Sequence, residues 1–139
     1  MGGQLIEAWA GPFQGTQSIA AEAFRSYIPT PPFAEYTSGH SAFSAASARV
    51  LQIITGSPLL NATTTFTPGS STIEPGWTPA AEVTLTWRTF GDAADEAGMS
   101  RRFGGIHFRQ GDLESRRMGR QIGERVWHKA QEYFRGIAQ

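Results

Sequence analysis

The feature that most constrains the fold is a long stretch without proline, DLESRRMGRQIGERVWHKAQEYF, which spans residues 112–134. Small and apolar residues recur in it every three or four positions, and this spacing places them on one face of an α-helix. Gly119 and Gly123 stand four residues apart, which lets a second backbone approach closely. We therefore predict that residues 112–134 form the longest helix. Its apolar face would carry Gly119, Ile122, Gly123, Val126, Ala130 and Tyr133, and its solvated face Arg116, Arg117 and Arg120.

Two further stretches also have a helical pattern. Residues 39–55 place Phe43, Ala46, Val50 and Ile53 or Ile54 on one stripe, and Gly56 would end the helix. Residues 87–103 return to the same periodicity. The three helices predict a mainly α fold, and 139 residues is an ordinary length for a single domain, here taken as 1–139.

The segments between and before the helices differ in composition. The motifs ATTTFT and EVTLTW alternate and are rich in β-branched residues, so a small β-hairpin is predicted near residues 62–86. Residues 1–37 contain the proline-rich IPTPPF and are expected to be mostly irregular, with room for a short helix at residues 18–27.

Charge and hydropathy exclude several classes of function. Lys+Arg and Asp+Glu number 12 each, and this balance argues against nucleic-acid binding, which requires a basic surface. No cysteine is present, so thiolate metal sites are excluded. No apolar run approaches the ~18 residues of a membrane span, and the N-terminus lacks the pattern of a signal peptide. We expect a soluble chain, and the sequence leaves its compartment open.

The tripeptide Ser38-Gly39-His40 stands where the first helix is predicted to begin. A helix N-terminus offers free N–H groups and a positive dipole end to an anion, and glycine allows a close approach. A histidine at that rim can donate a proton near neutral pH. The alternative is a capped helix with a surface histidine.

A second candidate is SRRFGGIHFRQGD, residues 100–112. The guanidinium of Arg101 suits an oxyanion. His107 could act as a nucleophile or a metal ligand if Asp112 or a carbonyl held its other ring nitrogen. The alternative is an ordinary surface pair of arginine and aspartate beside an incidental histidine.

Together, the two stretches resemble two motifs of the superfamily of vanadium-dependent haloperoxidases and type 2 phosphatidic acid phosphatases. Thr37-Ser38-Gly39-His40 is similar to the second motif, Pro-Ser-Gly-His. Ser100-Arg101, five residues and His107 match the third, although its aspartate is expected at position 111, where this chain has glycine and places Asp112 one residue later. The wider stretches TPPFAEYTSGHSAFSAA and ADEAGMSRRFGGIHF look like the soluble bacterial haloperoxidase branch.

This resemblance implies a helical bundle of the haloperoxidase and acid phosphatase type, and a role for each matching residue. His40 would be the general acid, and Arg101 would neutralise oxyanion charge together with hydrogen bonds from Ser38 and Gly39. His107 would be the apical ligand of vanadate, or the nucleophile that forms a phosphohistidine, with Asp112 as its orienting residue.

Three functions follow from the resemblance. The first is peroxide-driven halide oxidation at a vanadate bound by His107. The second is hydrolysis of phosphate esters, with phosphate in place of vanadate. The third is a fragment without catalysis that keeps oxyanion binding or self-assembly.

The family's first motif, a lysine and an arginine followed by proline, has no counterpart before Thr37, and the single lysine of the chain is Lys129. We therefore expect the C-terminal part of a catalytic domain that pairs with a missing N-terminal segment or with a second copy. Helices absent from the bundle would leave apolar surface exposed.

Overall fold

The structure is a computed structural model, and it describes residues 3–137. Within them the chain forms three helices and two antiparallel two-stranded sheets. The prediction of a mainly α fold with a small β-hairpin is confirmed. The elements are β1 (Leu5–Trp9), β2 (Thr16–Ala20), a short 3₁₀-helix (Ala21–Ala23), α1 (Gly39–Thr55), β3 (Leu59–Phe66), β4 (Val83–Thr89), α2 (Phe90–Phe103) and α3 (Arg109–Phe134).

Helices α1 and α3 make the most extensive helix–helix contact, and two glycines of α3 let them do so. A Cβ atom built on Gly119 would lie 2.2 Å from the carbonyl oxygen of Ala42, and one on Gly123 would lie 2.5 Å from that of Ala46. Neither distance leaves room for a methyl group. The predicted long helix is confirmed, and backbone contact with α1 determines which of its faces is buried.

That buried face differs from the predicted one. Ile122, Val126 and Tyr133 are exposed, so their assignment to the packed face was wrong. Because α1 approaches the glycine edge of α3, the neighbouring small and polar positions are enclosed instead. The buried residues of α3 are Gly111, Asp112, Ser115, Arg116, Gly119 and Gly123.

Helix α1 likewise buries its small residues and exposes its larger ones. Its enclosed positions are Ser41, Ala45 and Ala48, whereas Phe43 is 78% exposed and Ile54 57% exposed. Phe43, the first residue of the predicted stripe, therefore lies on the surface. Together with β3 and α2 it borders an open apolar groove of about 410 Å³. Exposed apolar surface was expected on this chain, and oligomerisation stays a prediction.

The N-terminal region is more regular than the prolines suggested. Strands β1 and β2 pair from Leu5 opposite Ala20 to Trp9 opposite Thr16, so the prediction of irregular structure was wrong there. Gly11 and Gly15 have positive φ and provide the turn. The short helix expected over residues 18–27 is reduced to the single turn of 3₁₀-helix.

Glu74, in the loop between β3 and β4, anchors this hairpin. Its Oε1 accepts hydrogen bonds from the indole Nε1 of Trp9 at 3.1 Å and from the backbone N–H of Phe13 at 3.0 Å. The Tyr27 hydroxyl donates to Oε2 at 3.3 Å. These bonds lower the pKa of Glu74, with the Trp9 bond contributing most. One carboxylate thus joins three separate segments.

Helix α2 begins three residues later than predicted because β4 extends to Thr89. There a capping box forms: the Thr89 side chain accepts from the N–H of Asp92, and the Asp92 side chain accepts from the N–H of Thr89. The last turn of α2 carries Arg101. Among residues 3–137, no helix is long and apolar enough to cross a membrane.

Candidate oxyanion site at the start of helix α1

The first turn of α1 is open to a ligand. Ser38 occupies the N-cap position in an extended conformation, and no side chain caps the helix there. A Cβ atom built on Gly39 would meet no atom within 4 Å. The leading N–H groups of a helix have no partner within the helix, and they carry the positive end of its dipole. This end of α1 can therefore receive an anion that approaches over Gly39.

Three charged or ionisable side chains converge beside this turn. The pKa of His40 lies below its ordinary value of 6.5, first because partial burial disfavours the imidazolium, and then because the charges of Arg101 and His107 oppose it. Such effects act at short range. The two predicted histidines and the predicted arginine stand at the start of α1, in the loop before α3 and near the end of α2, and they are near enough to interact electrostatically.

His107 is held in a closed environment. Its side chain is 2% exposed, and its Nδ1 lies 3.5 Å from Oε1 of Glu35. That nitrogen is buried and has no hydrogen-bond partner among the described residues. The ring of Phe33 stacks on the imidazole with a centroid separation of 6.4 Å. The ring is therefore bordered by Phe33 on one face and by a carboxylate at Nδ1.

Ser38 is fully buried, and both of its donors are engaged inside the protein. Its backbone N–H donates to the Ser115 hydroxyl at 2.9 Å. Its hydroxyl lies 2.7 Å from that of Ser41, and the Ser41 hydroxyl donates to Asp112 at 2.8 Å. Because the Ser41 proton is used, Ser38 is the donor of the pair. Ser38 was predicted to bind the oxyanion, but its bonds make it an anchor for the start of α1.

Asp112 is fully buried and forms a two-pronged ion pair with Arg116. Its Oδ1 accepts from Nε at 2.7 Å and its Oδ2 from Nη2 at 2.6 Å, and Nη1 of Arg102 lies 3.7 Å from Oδ2. These bonds, with the one from Ser41, give Asp112 partners other than His107. They do not carry the predicted orienting role. They tie α3 to the first turn of α1.

Three residues of this site were not predicted from the sequence. Arg116 was expected on a solvated face, yet it is 6% exposed; its i,i+4 spacing from Asp112 was the available signal. Gly98 of α2 covers this ion pair, and a Cβ there would lie 2.3 Å from Oδ1 of Asp112. Glu35 gave no signal except its place just before the Thr37–His40 motif.

Comparisons with known proteins show the family to which this chain belongs. The family model described as "VCPO second helical-bundle domain" matches residues 1–136. The chain belongs to the vanadium haloperoxidase superfamily. It forms a haloperoxidase-like helical domain. No curated protein matches it.

Three solved structures illustrate the likeness. The holo form of a bacterial vanadium-dependent chloroperoxidase is 30% identical with a TM-score of 0.85, over 90% of this chain and 27% of that chain. The apo form is 30% identical with a TM-score of 0.87, over 92% and 28%. A bacterial vanadium-dependent iodoperoxidase is 34% identical with a TM-score of 0.55, over 76% and 23%. The chain thus spans about a quarter of the length of these relatives.

Proposed function

We propose that this domain carries the oxyanion-binding part of a vanadate-dependent haloperoxidase site. The observation that carries the proposal is that Arg101 and His107 both act electrostatically on His40; after desolvation, they lower its pKa. The uncapped start of α1 lies beside them. Membership of the vanadium haloperoxidase superfamily supports vanadate as the group bound there.

The donor set fits an oxyanion of this kind. The Nδ1 atom of His107 faces Glu35, so Nε2 is the nitrogen available as a ligand to vanadium. Arg101 offers a forked cation to negatively charged oxygens. The backbone near Gly39 offers N–H groups at a positive helix end, with no side chain in the way. When bound, vanadate would supply the activation of hydrogen peroxide that halide oxidation requires.

His40 handles the proton in this proposal. Its lowered pKa keeps the imidazole neutral at neutral pH before an anion binds. A bound anion would oppose the effect of Arg101 and raise the pKa of His40 again. The imidazole would therefore take up a proton as the anion binds, and it could return that proton to a leaving oxygen. His40 is exposed, so it can exchange protons with solvent.

Turnover by this chain alone is proposed to be weak. Of the arginines near the site, Arg101 contributes to lowering the pKa of His40, whereas Arg102 and Arg116 lie against Asp112. The lysine and arginine of the superfamily's first motif have no counterpart before Thr37. Loss of one well-placed donor from an oxyanion site can lower the rate about 10²–10³-fold. An additional segment or a second copy of the chain could supply further cations.

The test is direct binding of orthovanadate, followed by assays of bromide-dependent peroxide consumption and of phosphate-ester hydrolysis. We expect calorimetry to show binding that is lost in His107→Ala and kept in His128→Ala, a matched histidine on the exposed side of α3. Equal binding by both variants would overturn the site. Phosphate-ester hydrolysis that depends on His107, without peroxide consumption, would overturn the haloperoxidase assignment and favour a phosphatase.

A further inference from the structure

We infer that Glu35 is the positioning residue of His107, and that Gly111 is a glycine because the Glu35 carboxylate occupies the adjoining space. The inference rests on the proposed function, since it explains how His107 would present Nε2 to the oxyanion. It begins from one irregularity. The Nδ1 atom of His107 is buried without a hydrogen-bond partner among the described residues, and leaving such an atom unpaired is costly.

Glu35 is the carboxylate that can pair with Nδ1. Its Oε1 lies 3.5 Å from that nitrogen, so a shift of about 0.5 Å would bring the two atoms within hydrogen-bond distance. Hydrogen bonds of this kind are often long in a site without its ligand and tighten when the ligand binds. Because the His107 side chain is 2% exposed, solvent offers Nδ1 little alternative to this partner.

The position of this carboxylate is fixed by the backbone beside His107. The N–H of Phe108, at the N-cap of α3, donates to the same Oε1 at 2.9 Å. Glu35 therefore contacts two consecutive residues, one through its main chain and one through its ring.

Gly111 leaves space that the Glu35 carboxylate occupies. A Cβ atom built on Gly111 would lie 2.2 Å from Oε1 and 2.6 Å from Oε2 of Glu35. Any side chain at position 111 would displace the carboxylate. An aspartate introduced at position 111 would put its carboxylate close to the space that the Glu35 carboxylate occupies. Position 111 is also where the motif that this chain resembles has its aspartate, so the two arrangements exclude each other.

The chemical consequence is control of the histidine tautomer. A carboxylate at Nδ1 holds the proton on that nitrogen and leaves the lone pair of Nε2 free for a ligand. Partners of this kind also fix the orientation of the ring, and their loss typically costs about 10–100-fold in metal affinity. Asp112 is engaged with Arg116 and Ser41, which leaves the role to Glu35.

The first experiment reads the tautomer directly, without vanadate. Nitrogen-15 NMR of the full chain should show His107 protonated at Nδ1. In Glu35→Ala the ring should lose this preference, while Glu82→Ala, which removes an exposed carboxylate before β4, should match the wild type. Glu35→Gln keeps an acceptor for Phe108, and circular dichroism checks its fold. An unchanged tautomer in both Glu35 variants would overturn the inference.

The second experiment exchanges the two carboxylates. Gly111→Asp alone should weaken vanadate binding because its side chain collides with Glu35. Glu35→Ala alone should weaken it about 10–100-fold. The double variant should bind more tightly than either single variant and should regain the Nδ1 tautomer. If the double variant binds vanadate no more tightly than the two single variants, the two carboxylates do not share one position.

The two proposals fail in distinguishable ways. If the wild type does not bind vanadate, the proposed function fails, and the tautomer measurement still decides the role of Glu35.

Discussion

Removing the charge of Asp112 should destabilise the domain far more than removing any surface charge. Asn replaces Asp with almost the same shape, so Asp112→Asn isolates the charge. Asp112 is fully buried and Arg116 is 6% exposed, and breaking a buried pair from one side costs about 3–5 kcal/mol. The remaining partner of Arg116 is Asp95, at 3.3 Å and half-exposed. Because that contact gives some compensation, we expect a loss of about 3 kcal/mol, near the lower end of that range.

The assay is urea unfolding followed by circular dichroism at neutral pH. For a chain of this size, the expected loss corresponds to a fall in Tm of about 10 °C. Glu114→Gln is the matched control, because Glu114 pairs with the exposed Arg117 at 2.7 Å, and such pairs contribute about 0–1 kcal/mol. A loss of less than 1 kcal/mol in Asp112→Asn, equal to the control, would refute the reasoning. A double variant, Asp112→Leu with Arg116→Met, should be more stable than Asp112→Leu alone, since no charge is left buried without a partner.

Three further outcomes follow from the structure. Gly119→Ala should lower the unfolding free energy by about 1–3 kcal/mol in urea denaturation, because its Cβ would lie 2.2 Å from the Ala42 carbonyl; unchanged stability would contradict the backbone contact. The pKa of Glu74 is lowered from 4.5, so its carboxylate should stabilise the fold fully above that pH and lose this effect as the pH falls through the lower folded pKa. Glu74→Gln should therefore lose less unfolding free energy than the wild type over that acidic range. Parallel plots of unfolding free energy against pH for the two proteins would refute this. NMR titration should give His40 a pKa below 6.5 that rises in Arg101→Ala, and no rise would show that the two side chains do not interact.

The sequence predicts the elements of this fold well because their signals are local. The bounds of α1 follow from Ser38 and Gly56 at its two ends. The β-branched runs yield β3 and β4. Strand β1 was not predicted because its five residues form a sheet only by pairing with β2 across a turn, and residues 1–37 are rich in the glycine and proline typical of irregular structure.

Which face of a helix is buried was harder to predict than the helix itself. Apolar periodicity pointed to Ile122 and Val126, but the close approach at Gly119 encloses the polar edge of α3. A periodic pattern records which residues are apolar, and it does not record where a neighbouring backbone lies.

The candidate site was likewise predicted only in part. Two short motifs and their resemblance to those of a known superfamily singled out His40, Arg101 and His107. The roles of Glu35 and Ser38 depend on contacts between residues more than seventy positions apart, and no local pattern encodes such contacts.

We propose above that one oxyanion site joins the start of α1 to His107. A crystal structure of the protein soaked in orthovanadate tests it most directly. We predict vanadium bonded to Nε2 of His107, with vanadate oxygens against the backbone at Gly39 and the guanidinium of Arg101. Vanadate bound elsewhere, or bound to His107 through Nδ1, would contradict the account.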